Sequence, residues 1–277
     1  MPATTVSTPV GDAFSPGNEP CGADGQLLLG VVGDDLQVQL TDANGAPVLP
    51  EQAAPQAPWT LRVALQEAVC GGCRPVVAVG EVSASGLATV PFVAGLPTRP
   101  GIWRARFEAR DALGAVKHRQ DELAWIDADP FSADAEAMSS GLPTWAALRS
   151  AMHDWAAANS WMQSSEHAPR SVAEAVVSTL ERWNGLLPPN PNFSSSRVPA
   201  RLRRLLTDGA VERLTEASAL NFARTHVALT GETQALFRDR YQAYAREAEK
   251  RKAAWDVAAR QLKTQMSVMW APWATVR

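Results

Sequence analysis

Along the first half of the chain, apolar and polar residues alternate with a period of two. In "DLQVQL" Leu36, Val38 and Leu40 share one face, and in "TLRVAL" Leu61, Val63 and Leu65 do the same. The longest alternation is "IWRARFEAR". There Trp103, Ala105, Phe107 and Ala109 face one way and Ile102, Arg104, Arg106, Glu108 and Arg110 the other. Such segments predict strands with one buried and one wet face, an arrangement that antiparallel sheets allow. Asn44-Gly45 predicts a hairpin turn. With "RPVVAVGEV", "GLATVPFV" and "AVKHRQDELAWI", about seven short strands separated by turns predict an antiparallel β-sandwich over residues 26–128.

Beyond "DADPF" the period becomes helical. Trp145, Leu148, Met152 and Trp155 recur at steps of three and four, the signature of one helix face. A second helix is expected to open at "SVAE", with Ser171 as N-cap and Glu174 as its reciprocal partner. Its apolar face is Val172, Val176, Leu180 and Trp183, and Gly185 and Pro188 stop it. A third helix is expected over 200–229, with a break at Asp208-Gly209 and a stripe of Val211, Leu214, Ser218, Phe222, Thr225 and Leu229. Thr230-Gly231 ends it. The fourth, over 233–268, carries Phe237, Tyr241, Tyr244, Ala248, Trp255, Ala258, Leu262 and Met269 on a heptad-like stripe interrupted by Arg251 and Gln265. Together these predict a helical bundle over 129–269 with a long antiparallel hairpin, and hence an α+β chain. Residues 1–25 read as a flexible arm, and 270–277 as an apolar tail that Pro272 bars from helix.

Composition narrows the function classes. The 277 residues are 46% hydrophobic and 20% charged, enough for a sizeable core. A net charge of -3 implies no general affinity for nucleic acid or anionic membranes. No apolar stretch is long enough to span a bilayer, and the N-terminal residues lack the basic start and apolar block of a signal peptide. Synthesis in the cytoplasm is the expectation. Ten Trp stand against two Tyr, and seven of the Trp follow residue 140. Side chains of that size anchor cores and interfaces.

Chemistry is sparse. "VCGGCRP" places Cys70 and Cys73 at C-x-x-C spacing, a weak metal or redox candidate. A redox pair belongs where a strand meets a helix, whereas this one lies between two predicted strands. A zinc site needs two more ligands, and only Cys21 and the scattered His118, His153, His167 and His226 are available. No nucleophile elbow, zincin motif or phosphate loop occurs. These residues predict no enzyme and no cofactor. The basic run "RVPARLRR" makes Arg201, Arg203 and Arg204 candidates for contact with a partner or with passing DNA; a solvated helix start is the plainer reading.

Four segments in order carry a resemblance: "RPGIWRARFEARDALGAVKHRQDELAWI", "LPTWAALRSAM", "VVSTLERWNGLLPPNPNF", and the hairpin holding "NFARTHVAL" and "YQAYAREAEKRKAAW". This order, over residues 95–270, resembles head-to-tail connector (adaptor or neck) proteins of tailed bacteriophages that carry a β-domain before the helical bundle. The resemblance implies a virion protein forming a homo-oligomeric ring of about twelve copies, closed by heterologous contacts. It implies as partners the portal protein on one side and a neck or tail protein on the other, with DNA passing through the lumen and no membrane contact. On that reading Arg182, Trp183, Asn184, Gly185, Pro188 and Pro189 form the hinge joining the first helices to the hairpin. Trp270, Pro272, Trp273 and Arg277 are the candidates for insertion into a neighbour. The alternative is a β-sandwich binding module (a collar, fibre or tail attachment protein) on a helical stalk.

Overall fold

The computed structural model describes residues 27–50, 59–69, 74–92, 96–97, 99–128, 141–152, 167–228 and 232–270. Seven strands form: β1 (Leu27–Val31), β2 (Leu36–Gln39), β3 (Thr60–Glu67), β4 (Val76–Val82), β5 (Leu87–Val90), β6 (Gly101–Arg110) and β7 (Val116–Asp127). Among the described residues four α-helices follow: α1 (Trp145–Met152), α2 (Pro169–Gly185), α3 (Arg203–Ala228) and α4 (Glu232–Trp270).

The expected sandwich does not form. All seven strands belong to one sheet, in the order β1-β7-β6-β3-β4-β5-β2. It is mixed, because β1 runs parallel to β7 while the other pairs are antiparallel. The sheet curls until its edge strands β1 and β2 approach each other, giving a nearly closed barrel. Gly80 permits part of the curl: a Cβ there would run into the Thr89 carbonyl of β5. Alternation along a strand fixes which side chains are buried, not which layer covers them. Here the sheet covers itself. Leu36, Val38, Leu61, Val63, Leu65, Trp103, Ala105, Phe107 and Ala109 fill the barrel interior. Across the seam a side chain replaces a backbone ladder. The Gln120 carboxamide accepts from the Thr41 N–H at 3.0 Å and donates to Glu122 at 2.6 Å. The expected Asn44-Gly45 turn is present; Gly45 has φ 78°, and Asp42 Oδ1 accepts from the Asn44 and Ala46 amides.

The helices do not form a separate bundle either. Ile102, Leu123 and Trp125, on the outer face of the barrel, share one core with Val172, Val176, Leu180 and Trp183 of α2 and with Leu206, Leu214 and Trp255 of α3 and α4. Trp125 also meets Trp145 of α1 edge-on, with centroids 5.5 Å apart. Helix α2 starts three residues earlier than expected, with Ala168 at the N-cap in place of Ser171, Pro169 in its first turn and no side-chain cap. Ser171 lies inside the helix, and Glu174 pairs with Arg170 at 2.8 Å instead of closing a capping box. Helix α3 runs unbroken through Asp208-Gly209. Gly209 is a packing residue, since a Cβ there would strike Thr179 and the Trp255 ring. Helix α4 has 39 residues, about 58 Å at 1.5 Å per residue. It lies antiparallel to α3, with Trp255 beside Leu205 and Met269 beside Arg201. Its buried face is Ala248, Trp255, Ala259, Lys263 and Met266; Ala248 and Trp255 belong to the expected stripe, and beyond them the face turns by one position, so Ala258 and Met269 are exposed.

Candidate functional site: the Arg-Trp-Asn joint

Helix α2 reaches its C-terminus at Arg182-Trp183-Asn184-Gly185 and needs partners for its last carbonyls. Gly185 does not take the left-handed cap conformation expected of it. The chain leaves through Leu186 in an extended conformation, and the Leu186 N–H returns to the Trp183 carbonyl at 3.1 Å. The remaining capping comes from α4. Lys263 is fully buried, and its ammonium donates to the Trp183 carbonyl at 2.7 Å, the Asn184 carbonyl at 3.2 Å and Asn192 Oδ1 at 3.2 Å. Three donors meet three acceptors, two of them at the negative end of a helix dipole. Burial pushes Lys263 below the ordinary lysine value. Hydrogen bonding to the charged form opposes that shift.

Arg182 ties the same turn to both hairpin helices. Its guanidinium donates to Glu212 of α3 at 2.9 Å and to Asp256 of α4 at 2.8 Å, and it lies 4.2 Å from the centroid of the Trp255 ring. Glu212 is buried, and the Trp255 indole donates to the Leu205 carbonyl at 2.8 Å. Trp183 is completely buried in the shared core. Asn184 does not cap its own helix. Its carboxamide donates to the Phe193 carbonyl at 2.8 Å and accepts from the Phe193 amide at 3.0 Å, closing the proline loop on itself.

That loop holds Pro188, Pro189 and Pro191, with cis peptides at Leu187-Pro188 and Asn190-Pro191. Ser267 of α4 donates to the Asn190 carbonyl. Further on, Ser195 donates to the Ile102 carbonyl at 2.8 Å and Ser196 to Glu67 at 2.8 Å. One connection therefore holds α2, α3, α4 and one end of the barrel together.

The structure brings Arg182, Trp183, Asn184, Gly185, Pro188 and Pro189 into one joint. Arg201, Arg203 and Arg204 lie just beyond it at the start of α3. Arg201 approaches the Met269 sulfur at 3.7 Å, Arg203 borders a small cavity with Trp125 and Leu142, and Arg204 is exposed, 3.9 Å from Asp208. Trp270 closes α4; its side chain lies outside the described residues, as do Pro272, Trp273, Arg277, Cys70 and Cys73. Lys263, Glu212, Asp256 and Asn192 escaped the sequence reading. The signal for Lys263 was a lysine in register with Trp255, Ala259 and Met266 on a face that is otherwise apolar.

A separate cleft of about 720 Å³ lies between α2 and the outer face of β3, β6 and β7, lined by Arg104, Arg106, Asp121, Arg170 and Glu181 among others. Arg106 and Asp121 pair there at 2.7 Å, an exposed contact that holds the carboxyl below its ordinary value. Among the described residues no group of His, Cys, Asp or Glu could hold a metal ion, and no helix is long and apolar enough to cross a membrane. Compared with models of known protein families, with curated proteins and with solved structures, the chain matches none.

Proposed function

We propose that the chain is a structural virion protein, a head-to-tail connector. Copies close into a ring of about twelve between the portal and the neck or tail, and DNA passes through the lumen. The observation that supports this best is the joint itself. A connector must hold a long helical arm at a fixed angle to its body while neighbouring subunits pull on it. Buried ion pairs and helix-end capping fix direction more narrowly than apolar packing does, because a charge displaced from its partners is heavily penalised. The Arg182 and Lys263 contacts concentrate such interactions at an end of the core that α2, the α3–α4 hairpin and the barrel share. The order of segments along the chain, from the β-region through "RWNGLLPPNPNF" to the hairpin, supports the same reading. Electron-microscopy averaging of the native particle tests it. A twelvefold collar between capsid and tail is the expected result, and this chain on a fibre or receptor-binding tip would overturn it.

A second reading, a binding module built on the barrel, draws on the cleft beside α2 and its charged lining. Placement of the chain at a fibre tip would favour it.

A further inference from the structure

The cleft beside α2 has two walls whose charges are matched except at two positions. One wall is the outer face of the sheet. There the pairing register sets Gln66, Arg104 and Leu123 in one row across β3, β6 and β7, with Ala64, Arg106 and Asp121 in the next. The other wall is a single stripe of α2, where Arg170, Glu174, Val177, Ser178 and Glu181 recur at steps of three and four. Arg106 is held by both oxygens of Asp121, at 2.7 and 3.1 Å. Arg170 pairs with Glu174 at 2.8 Å and stands 4.0 Å from the buried Glu122. Arg104 on the sheet and Glu181 on the helix are exposed, and among the described residues neither has an ion-pair or hydrogen-bond partner. A cation and an anion left over on facing walls suit a ligand that carries both charges.

We propose that this cleft binds a short peptide with both termini charged. Its carboxylate would pair with the Arg104 guanidinium, which can grip both oxygens, and its ammonium with Glu181. Its side chains would rest on Leu123 and Val177, which are buried in the walls. From Arg170 to Glu181 the helical wall runs about 16 Å at 1.5 Å per residue, room for an extended peptide of about four residues. The volume of about 720 Å³ is that of a small-ligand site. Other ligand classes fit less well. A simple anion would meet Arg104 but face the carboxylates of Asp121, Glu122, Glu174 and Glu181, and a simple cation would leave Arg104 unmatched. A nucleobase would find no aromatic ring to stack on, since none lines the cleft. A ring subunit and a binding module could each carry such a cleft, so the connector reading stands or falls separately.

Isothermal titration calorimetry on the full chain tests this with the tripeptide Ala-Leu-Ala and two capped forms, one N-acetylated and one a C-terminal amide. Ala-Leu-Ala is expected to bind, and each cap to weaken binding about tenfold by removing one charge. R104Q should weaken the tripeptide and no longer distinguish it from its amide. E181Q should likewise lose the distinction between the tripeptide and its acetylated form. Both side chains are exposed, so the circular-dichroism melt should not move. R62Q, on the same sheet face and outside the cleft, should bind as the wild type does. No heat of binding at millimolar tripeptide, or capped forms that bind as well as the free one, overturns the proposal. So does an R104Q chain that still prefers the tripeptide to its amide, because the carboxylate would then lie elsewhere.

Discussion

Inside the barrel, Phe107, Leu61, Val63 and Leu65 are fully buried against one another, with the Gln120 carboxamide as the polar staple of the seam. At the helical joint the buried groups include Lys263 and Glu212, with Arg182 nearly so. The barrel interior is the drier of the two, since Arg182 and Asp256 keep 17% and 34% of their side chains exposed, and the two regions are held by different physics. The barrel interior gains free energy roughly in proportion to apolar area and accepts small shifts of its side chains. The joint depends on donors and acceptors that each fit in one place, so it resists a change of angle more than a change of volume. The comparison teaches where a chain can afford adaptability and where it enforces direction.

Substitutions can break that contrast or sharpen it. The largest expected loss is in the barrel: F107A should cost about 4 kcal/mol by equilibrium denaturation, through lost burial and the cavity left behind. R182A should cost about 3 kcal/mol, because Glu212 would stay buried without its cation. Replacing both members with apolar side chains, as in R182M/E212L, should regain most of that stability. A double variant as weak as R182A would show that the pair contributes net stability and not only direction. K263M should cost about 2 kcal/mol, leaving the Trp183 and Asn184 carbonyls and Asn192 Oδ1 without this donor.

The smallest effect is a pH dependence at Asp127, which accepts from the Trp125 indole at 3.1 Å and which burial holds above its ordinary value of 3.8. Its folded form binds a proton more readily than its unfolded form. The penalty for charging it is therefore present at neutral pH, and it is relieved as pH falls through the raised value towards 3.8. Stability of the wild type relative to D127N should rise over that window. Parallel pH profiles for the two proteins would remove Asp127 from this role.

The strands were legible because a strand buried on one face must alternate, and "IWRARFEAR" alternates over its whole length. Their closure into a barrel was not, since alternation is the same whether a second sheet or the curl of the first covers the apolar face. The parallel pairing of β1 with β7 joins residues nearly a hundred positions apart and leaves no local trace. The expected break at Asp208-Gly209 followed glycine's low helix propensity, and tertiary contact with Thr179 and Trp255 overrides it. The Arg-Trp-Asn stretch stood out in the sequence, but its partners did not. Glu212, Asp256 and Lys263 meet Arg182 and Trp183 from 30, 74 and 80 positions away, on helices whose surfaces hold many other charges.

The central claim is that the joint fixes the direction of the α3–α4 hairpin. It is tested most directly by the distance distribution between spin labels at Glu181 on α2 and Tyr241 on α4, in a chain whose Cys21, Cys70 and Cys73 are replaced by serine. One narrow distribution is expected, broadened by K263M and by R182A but not by F107A. A broad distribution before any of these substitutions, or one that none of them changes, would contradict it.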